Sequence, residues 1–274
     1  MTFLNQLFNL ENKVALLTGG GGILAGEMAK GFLSTGVKVV LLDINETNLS
    51  KRVDTLNEFG NEVSGIKCNV LEEKSLEDVN QQVLEKYGRI DILINAAGGN
   101  IPGATIGLDQ TIFDLKIEEL QKVTNLNFYG TVLPTLIFGK TMSNQKNGSI
   151  INISSMATFR SITRVVGYSA AKASVDNFTK WMAVELAQKF GNGIRVNAIA
   201  PGFLLTDQNR TLLNNEDGSL TQRGKDIIHM TPFKRFGDPD ELIGSILWLA
   251  SDASKFVTGT IIPIDGGFSI FSGV

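Results

Sequence analysis

The sequence predicts an α/β fold, with one domain built around a mostly parallel, seven-stranded, doubly wound sheet that carries helices on both faces. Short apolar runs rich in Val, Ile and Leu alternate with longer helical patterns along nearly the whole chain, which is typical of such a sheet. No Pro-rich or Gly/Ser-rich linker and no internal repeat divides the chain. Its 274 residues, 43% of them hydrophobic, are enough to bury a full core. We therefore expect a single domain over residues 1–274.

Seven of the apolar runs have the length and the β-branched content of buried strands. Helical patterns fill most of the gaps between them, so there is room for the crossover helices that parallel connections require. The predicted strands are KVALLT (13–18), VKVVLLD (37–43), EVSGIKC (62–68), DILIN (91–95), SIINIS (149–154), IRVNAIA (194–200) and TIIPID (260–265).

Composition and charge argue against several classes of protein. The formal net charge of −3 lacks the basic balance of most nucleic-acid binders. Cys68 is the single cysteine, so we expect neither an intrachain disulfide nor a cysteine metal cluster. The N-terminal MTFLNQLFNLENK has no basic n-region, and no apolar stretch reaches the roughly twenty residues that span a bilayer. We expect a cytoplasmic protein that binds neither nucleic acid, membrane nor metal.

A glycine-rich turn follows the first predicted strand, in the sequence TGGGGILAGEMAKGF. Glycines let the backbone approach a pyrophosphate closely, and the helix that begins there presents unpaired N–H groups and a favourable dipole to an anion. Asp43 ends the second strand, twenty-four residues after Gly19, where its carboxylate can accept hydrogen bonds from ribose hydroxyls. A helix cap or turn is the alternative for Asp43. No Lys or Arg occupies positions 43–50 to neutralise a 2′-phosphate, so the pattern predicts NAD rather than NADP.

A serine, a tyrosine and a lysine surround the start of the helical run GYSAAKASVDNFTKWMAVELA. Ser155 precedes Tyr168 by thirteen residues and Lys172 follows it by four, so the phenol and the ammonium share a helix face. A neighbouring cation favours phenolate and lowers the pKa of tyrosine from about 10 toward the range of an effective acid or base. Ser155 can hydrogen-bond the oxygen that gains or loses the proton. This pattern indicates alcohol/ketone chemistry.

Over essentially its whole length the sequence resembles the short-chain dehydrogenase/reductase family. Besides the serine, tyrosine and lysine, the resemblance rests on Thr18-Gly19, Asn69-Val70, Asn95-Ala96-Ala97-Gly98, Asn127, Pro201-Gly202 with Thr206, and Asp265-Gly266-Gly267. The resemblance implies a Rossmann-type fold, a nicotinamide cofactor and a homotetramer.

The resemblance also implies roles for individual residues. Tyr168 is expected to be the general acid or base, Lys172 to lower its pKa and bind nicotinamide ribose, and Ser155 to polarise the carbonyl. Asn127 is expected to hold a water that links the lysine to solvent, with a helix cap or bend as its alternative role. The residues expected to bind NAD are Gly19, Gly21, Gly22, Ile23, Leu24, Asp43, Asn69, Val70, Asn95, Ala96, Ala97, Gly98, Tyr168, Lys172, Pro201, Gly202 and Thr206.

Two positions depart from the family's pattern. The family's Gly-x-x-x-Gly-x-Gly turn, counted from Gly19, places Ile23 and Ala25 at its second and third glycines. Gly22 and Gly26 are the alternative phosphate contacts. Asn69 stands where the family commonly has Asp, and its amide can still hydrogen-bond adenine.

Three polar segments are expected to shape the substrate pocket: residues 98–120, 156–167 and 203–237, the last as a lid. Their loops are similar to those of the D-mannonate oxidoreductases within this family, also called D-fructuronate reductases. A guanidinium is well shaped to hold the carboxylate of such a sugar acid. The expected substrate residues are Arg160 or Arg164 for the carboxylate and Asn100, Gln208 or Asn209 for hydroxyls.

Other interpretations stay open at this stage. Both arginines could instead be solvated or lie at a subunit contact. A gluconate 5-dehydrogenase or a 3-oxoacyl-carrier-protein reductase would keep the fold and change the substrate. A cofactor-binding regulator without activity is an alternative of another class, and the intact serine, tyrosine and lysine argue against it.

Overall fold

The computed structural model describes residues 2–59, 62–206, 210 and 212–273. Seven strands form one sheet in the order β3-β2-β1-β4-β5-β6-β7, and every neighbouring pair is parallel. The predicted α/β fold is confirmed. The strands are β1 Val14–Thr18, β2 Lys38–Asp43, β3 Val63–Lys67, β4 Ile92–Asn95, β5 Gly148–Ile153, β6 Ile194–Pro201 and β7 Ile261–Ile264.

Helices lie between the strands along the sequence. The described α-helices are α1 Phe3–Leu7, α2 Ile23–Leu33, α3 Glu46–Asn57, α4 Glu73–Tyr87, α5 Ile117–Thr124, α6 Gly130–Gln145, α7 Val166–Phe190, α8 Gln222–Met230 and α9 Ile243–Ala250. A π-helical turn, Asn125–Tyr129, joins α5 to α6. None of the helices in the described part of the protein is long and apolar enough to cross a membrane.

Two apolar cores cover the two faces of the sheet because successive strand residues point to opposite sides. In β1, Ala15 and Leu17 pack in a core with α2, α3 and α9. Val14 and Leu16 pack in a second core with α4, α6 and α7. Since both faces are covered, the strands read as continuous apolar runs.

The strand order reverses between β1 and β4, and the crevice at such a reversal is the usual ligand site of this kind of sheet. Thr18 Oγ1 accepts hydrogen bonds from the N–H groups of Ala96 and Ala97, each at 3.0 Å. The carboxyl ends of β1 and β4 are therefore fixed against each other where the crevice opens.

The expected lid leaves the carboxyl end of β6 and returns to the same place. Leu205 N–H donates to the Gly237 carbonyl at 2.9 Å, and Gly237 N–H donates to the Phe203 carbonyl at 3.0 Å. Helix α8 lies within this segment and buries Gly224 and Ile227. The segment thus has fixed ends next to the crevice.

Candidate active site

A cleft of about 980 Å³ lies along the carboxyl ends of the strands. Its walls come from the ends of β1, β2, β4, β5 and β6, which the parallel sheet brings to one edge. The predicted residues that line it are Gly19, Gly21, Gly22, Ile23, Leu24, Asp43, Asn69, Val70, Ala96, Ala97, Gly98, Ser155, Tyr168, Lys172, Pro201, Gly202 and Thr206.

The glycine turn lines one part of this cleft. Gly19 has a φ of +66°, and a Cβ on it would lie 2.9 Å from Ala97 Cα, so both backbone conformation and space require glycine there. Gly22 is the N-cap of α2, and the first helical bond runs from Gly26 N–H to the Gly22 carbonyl. The first N–H groups of α2 after Gly22 are consequently without intrahelical partners. This backbone fits a pyrophosphate, and it favours Gly22 over Gly26 as the phosphate contact.

Gly26 instead makes room for an arginine. A Cβ on Gly26 would lie 2.6 Å from Nε of Arg52, which belongs to α3. Arg52 and Lys51 both line the cleft beyond Asp43, and the sequence analysis missed them. Helical spacing could have indicated Arg52, because it follows Asn48, another residue that lines the cleft, by four residues and therefore shares its helix face.

Asp43 lines the same cleft, and its carboxylate is held by two backbone groups. Oδ2 accepts from Gly21 N–H at 2.9 Å, and Oδ1 accepts from Asn45 N–H at 2.8 Å. The turn role considered for Asp43 is thus present, and each oxygen keeps a further lone pair for a hydroxyl in the cleft.

Tyr168, Ser155 and Lys172 come together in another part of the cleft. Ser155 follows β5, and Tyr168 is the third residue of α7; both side chains line the cleft. Burial raises the pKa of Tyr168, while the neighbouring Ser155 side chain acts in the opposite direction. The direction differs from the expected one because burial is the largest effect on the phenol in the protein alone.

Lys172 is almost completely buried beneath the tyrosine. Its Nζ lies 5.7 Å from the centroid of the Tyr168 ring and donates a hydrogen bond to the Ile153 carbonyl at 2.7 Å. Burial lowers the pKa of Lys172 to about 8, and the charge of Asp176 opposes that shift. The ammonium is therefore easier to deprotonate than an ordinary lysine, which suits proton exchange near neutral pH.

Asn127 lies in the π-helical turn and is fully buried. Its Oδ1 accepts from Gly99 N–H at 2.9 Å, and its Nδ2 donates to the carbonyls of Gly99 and Val123, each at 2.8 Å. The side chain thus fixes the loop after β4 beside Lys172. Its expected role in holding a water stays a prediction.

Two asparagines expected at the cofactor have other partners. Asn95 does not line the cleft, because its Nδ2 donates to Thr135 Oγ1 and Asn152 Oδ1, each at 2.8 Å, inside the protein. Asn69 does line the cleft, yet its amide also binds Leu71 N–H and the Glu72 carboxylate. The buried hydrogen bonds make Asn95 a support of the crevice rather than part of its wall.

The expected substrate residues that the structure describes bond other parts of the protein and do not line the cleft. Arg160 Nε donates to the Ser269 carbonyl at 2.9 Å and its Nη2 donates to the Phe271 carbonyl, so this guanidinium binds the C-terminal segment. Arg164 Nε donates to the Ile106 carbonyl at 2.6 Å. Asn100 Nδ2 donates to Thr105 Oγ1. None of the three lines the cleft, and Gln208 and Asn209 lie outside the described residues.

The fold and the site together define a dinucleotide-dependent oxidoreductase. Residues 22–269 match the sequence model of the family described as "Enoyl-(Acyl carrier protein) reductase". The protein belongs to the short-chain dehydrogenase/reductase family, as its sequence motifs predicted.

Individual relatives cover the sequence almost completely. An "Uncharacterized oxidoreductase UxuB" of Bacillus subtilis is 42% identical over 97% of this chain and 98% of its own. The 3-oxoacyl-[acyl-carrier-protein] reductase FabG of Thermotoga maritima is 36% identical over 95% of this chain and 99% of its own. The crystal structure of a "putative D-Mannonate oxidoreductase" from Haemophilus influenza, with bound NAD, has a TM-score of 0.91 and 42% identity, and covers 97% of this chain and 98% of that one.

Proposed function

We propose that the protein is an NAD(H)-dependent oxidoreductase that interconverts a secondary alcohol and a ketone on a sugar acid, namely D-mannonate and D-fructuronate. The observation that carries the reaction type is the grouping of Ser155 and Tyr168 with the buried Lys172 in one part of the long cleft. The dinucleotide would supply a hydride acceptor or donor. Its pyrophosphate would lie on the α2 N-terminus and its ribose on Asp43.

The proposed roles follow from the chemistry of each side chain. Tyr168 takes the hydroxyl proton during oxidation and returns it during reduction, because the phenol is the acidic group that faces the cleft. Ser155 orients the same oxygen. Lys172 stabilises the phenolate by its charge and would bind the nicotinamide ribose.

Two arginines, Arg164 and Arg223, support a charged substrate. Burial and the nearby charge of Arg164 lower the pKa of Arg223 in α8, and the charge of Asp226 opposes that shift. No carboxylate of the described residues, Asp226 included, lies within ion-pair distance of either guanidinium. A sugar-acid carboxylate that contacts both guanidinium groups would offset the repulsion between these two half-buried like charges. This favours Arg164 with Arg223, rather than Arg160, as the carboxylate site.

A substrate and cofactor panel tests the proposal. Purified protein would be assayed with NAD(H) and NADP(H) against D-mannonate, D-fructuronate, 5-ketogluconate and a 3-oxoacyl thioester. We expect D-fructuronate with NADH to give the highest kcat/KM. Tyr168→Phe should lower kcat by about 10²–10⁴-fold with NADH affinity little changed, because general acid catalysis is lost.

Tyr87→Phe is the matched control, since Tyr87 ends α4 and does not line the cleft. Higher efficiency with the thioester would favour the second candidate, an acyl-carrier-protein reductase, to which the 36% identity with the Thermotoga maritima enzyme lends support. Absence of turnover with every substrate would favour the non-catalytic alternative. Full activity in Tyr168→Phe would contradict the proposed proton transfer.

We also propose a homotetramer with contacts through α6 and α7. Trp181 and Val184 on α7 are 60% and 57% exposed, and Leu136 on α6 is 50% exposed. Large apolar side chains exposed on the surface of a folded protein often mark a subunit interface.

A further inference from the structure

A buried carboxylate lies directly behind the proposed proton-transfer residues. Asp176 is 9% exposed and lies on α7 one turn after Lys172. Its Oδ1 accepts a hydrogen bond from Ser154 Oγ, and Ser154 is the residue between Ile153 and Ser155. Asp176 therefore contacts the same segment that holds both the lysine and the catalytic serine.

The ammonium of Lys172 has no carboxylate in direct contact. Lys172 is 4% exposed and bonds a neutral acceptor, the Ile153 carbonyl. No described carboxylate lies within 4.0 Å of its Nζ, so the charge is not neutralised by an ion pair. A buried ammonium is costly without a compensating charge, and Asp176 at four residues' helical spacing is the acid placed to provide it.

Other charged groups on the neighbouring elements are exposed or have their own partners. Strand β5 carries no titratable side chain. On α7, Lys180 lies one turn beyond Asp176 and is exposed, while Tyr168 precedes Lys172. The arginines donate to backbone carbonyls: Arg195 of β6 to Leu249 and Ser251, Arg160 to Ser269 and Phe271, and Arg164 to Ile106. Lys122 pairs with Glu119, Glu118 is exposed to solvent, and the Asp265 carboxylate accepts from the N–H groups of Gly267 and Ser269.

We infer that Asp176 is a positioning residue for the reaction: its buried negative charge keeps Lys172 protonated while Tyr168 ionises, and its bond to Ser154 holds the end of β5 that carries Ser155. This inference rests on the proposed roles of Tyr168 and Lys172. Asp176 does not line the cleft, and it would act through the lysine. Burial and Asp176 shift the pKa of Lys172 in opposite directions, which agrees with this role.

The chemical consequence concerns which of two groups loses a proton. Because the phenol and the ammonium interact, their titration is coupled, and the first proton leaves either Tyr168 or Lys172. The productive form is phenolate beside ammonium. A negative charge on Asp176 favours retention of the proton on the nearer group, Lys172. Without that charge the pair ionises more easily, but more of it becomes phenol beside a neutral amine.

The test is the pH dependence of alcohol oxidation in Asp176→Asn, which keeps the side-chain shape and an acceptor for Ser154. With saturating NAD and alcohol, we expect the apparent pKa of kcat to move down by about one pH unit. We also expect kcat on the alkaline plateau to fall about tenfold, because a change of one unit in the pKa difference between Lys172 and Tyr168 changes the ratio of the two singly protonated forms by a factor of ten. NADH affinity should change little.

Two further variants separate charge from structure. Ser154→Ala removes the hydrogen bond and keeps the charge, and Asp176→Glu keeps the charge on a longer side chain. Both should retain the wild-type apparent pKa, whatever their kcat. If Asp176→Asn does not accumulate as folded protein, Asp176→Ser is the smaller neutral replacement for the same comparison.

The outcomes are distinguishable from failure of the proposed function. An Asp176→Asn profile that superposes on the wild type after scaling, while Tyr168→Phe is inactive, overturns the inference alone. A lowered apparent pKa in Ser154→Ala as large as in Asp176→Asn also overturns it, since a structural effect would then suffice. Activity of Tyr168→Phe at every pH would instead overturn the proposed function.

Discussion

At the scale of single residues, Asp43 is the side chain expected to set the choice of cofactor. Its two carboxylate oxygens are each fixed by a backbone N–H, from Gly21 and Asn45, so the charge cannot swing away from a ligand without losing both bonds. A 2′-phosphate at this place would meet a fixed negative charge, which typically costs several kcal/mol. Lys51 and Arg52 lie further along the same wall and would attract a phosphate once that repulsion is removed.

Asp43→Asn is therefore expected to change the cofactor preference. It removes the charge and keeps an amide oxygen, so the ratio of kcat/KM for NADPH to that for NADH should rise at least about tenfold, a change of about 1.4 kcal/mol. Steady-state kinetics with both cofactors measure it. Asp54→Asn, on the exposed side of α3, is the matched control. Equal efficiency of the wild type with both cofactors would contradict the assigned role of Asp43.

Arg164 and Arg223 are tested by comparing charged and uncharged substrates. Loss of a charge-assisted bond costs about 1.5–3 kcal/mol, so Arg164→Ala and Arg223→Ala should each lower kcat/KM for D-fructuronate about ten- to hundredfold. The effect on an uncharged ketose, if one is turned over, should be much smaller. Equal losses with both substrates would show that these arginines do not hold the carboxylate.

At the scale of elements, the C-terminal segment after β7 joins the parts that surround the substrate side of the cleft. Arg160 bonds the carbonyls of Ser269 and Phe271, and the Phe203 and Phe268 rings meet at 5.2 Å between centroids. Lys234 Nζ lies 5.6 Å from the centroid of the Phe271 ring. The segment thus connects the loop after β5 with both ends of the expected lid.

Arg160→Ala is expected to loosen this connection rather than to remove a carboxylate ligand. Hydrogen exchange of residues 269–273 should become faster, and KM should rise by a similar factor for charged and uncharged substrates. Arg160→Lys retains a cation but cannot make both bonds in the same fork, so it should show most of the loosening. A loss confined to the charged substrate would restore the original interpretation of Arg160 as a carboxylate ligand.

On the scale of the whole molecule, the buried Lys172 is expected to lower the stability of the fold. Its pKa is about 8 in the folded protein and 10.5 ordinarily, so below pH 8 the charge is buried at full cost. Between pH 8 and 10.5 the folded state releases the proton that the unfolded state keeps, so the free energy of unfolding increases as pH rises. At pH 7 the pKa difference corresponds to about 3 kcal/mol.

Lys172→Met should accordingly abolish activity and raise the free energy of unfolding near pH 7. The advantage over the wild type should shrink as pH rises from 8 toward 10.5, as measured by urea unfolding. Lys180→Met, an exposed lysine of the same helix, should show no such pH-dependent difference. A lower stability of Lys172→Met at neutral pH would contradict the argument.

The proposed tetramer gives the second prediction on this scale. Trp181→Glu places a charge in the apolar surface of α7 and should shift the protein to smaller species in light scattering, since a buried unpaired charge opposes association. Phe113→Glu changes a still more exposed aromatic residue, which belongs to the short turn Ile112–Asp114 and not to α6 or α7. It should leave the mass unchanged. A wild-type monomer would contradict the proposed interface.

The sequence by itself determined the order of the elements, because buried parallel strands need continuous apolar runs and each strand found lies within two residues of its predicted bounds. It also predicted the glycine turn, the serine after the fifth strand, and the tyrosine and lysine one helical turn apart, since each of these patterns is local. Three-dimensional packing decided what local spacing cannot express. The hydrogen bonds of Arg160 to Ser269, the position of Arg52 over Gly26 and the placement of Asp176 behind Ser154 join residues from separate elements. Such contacts depend on how helices and loops pack around the sheet, so the charged and polar partners of the site emerged only with the tertiary structure.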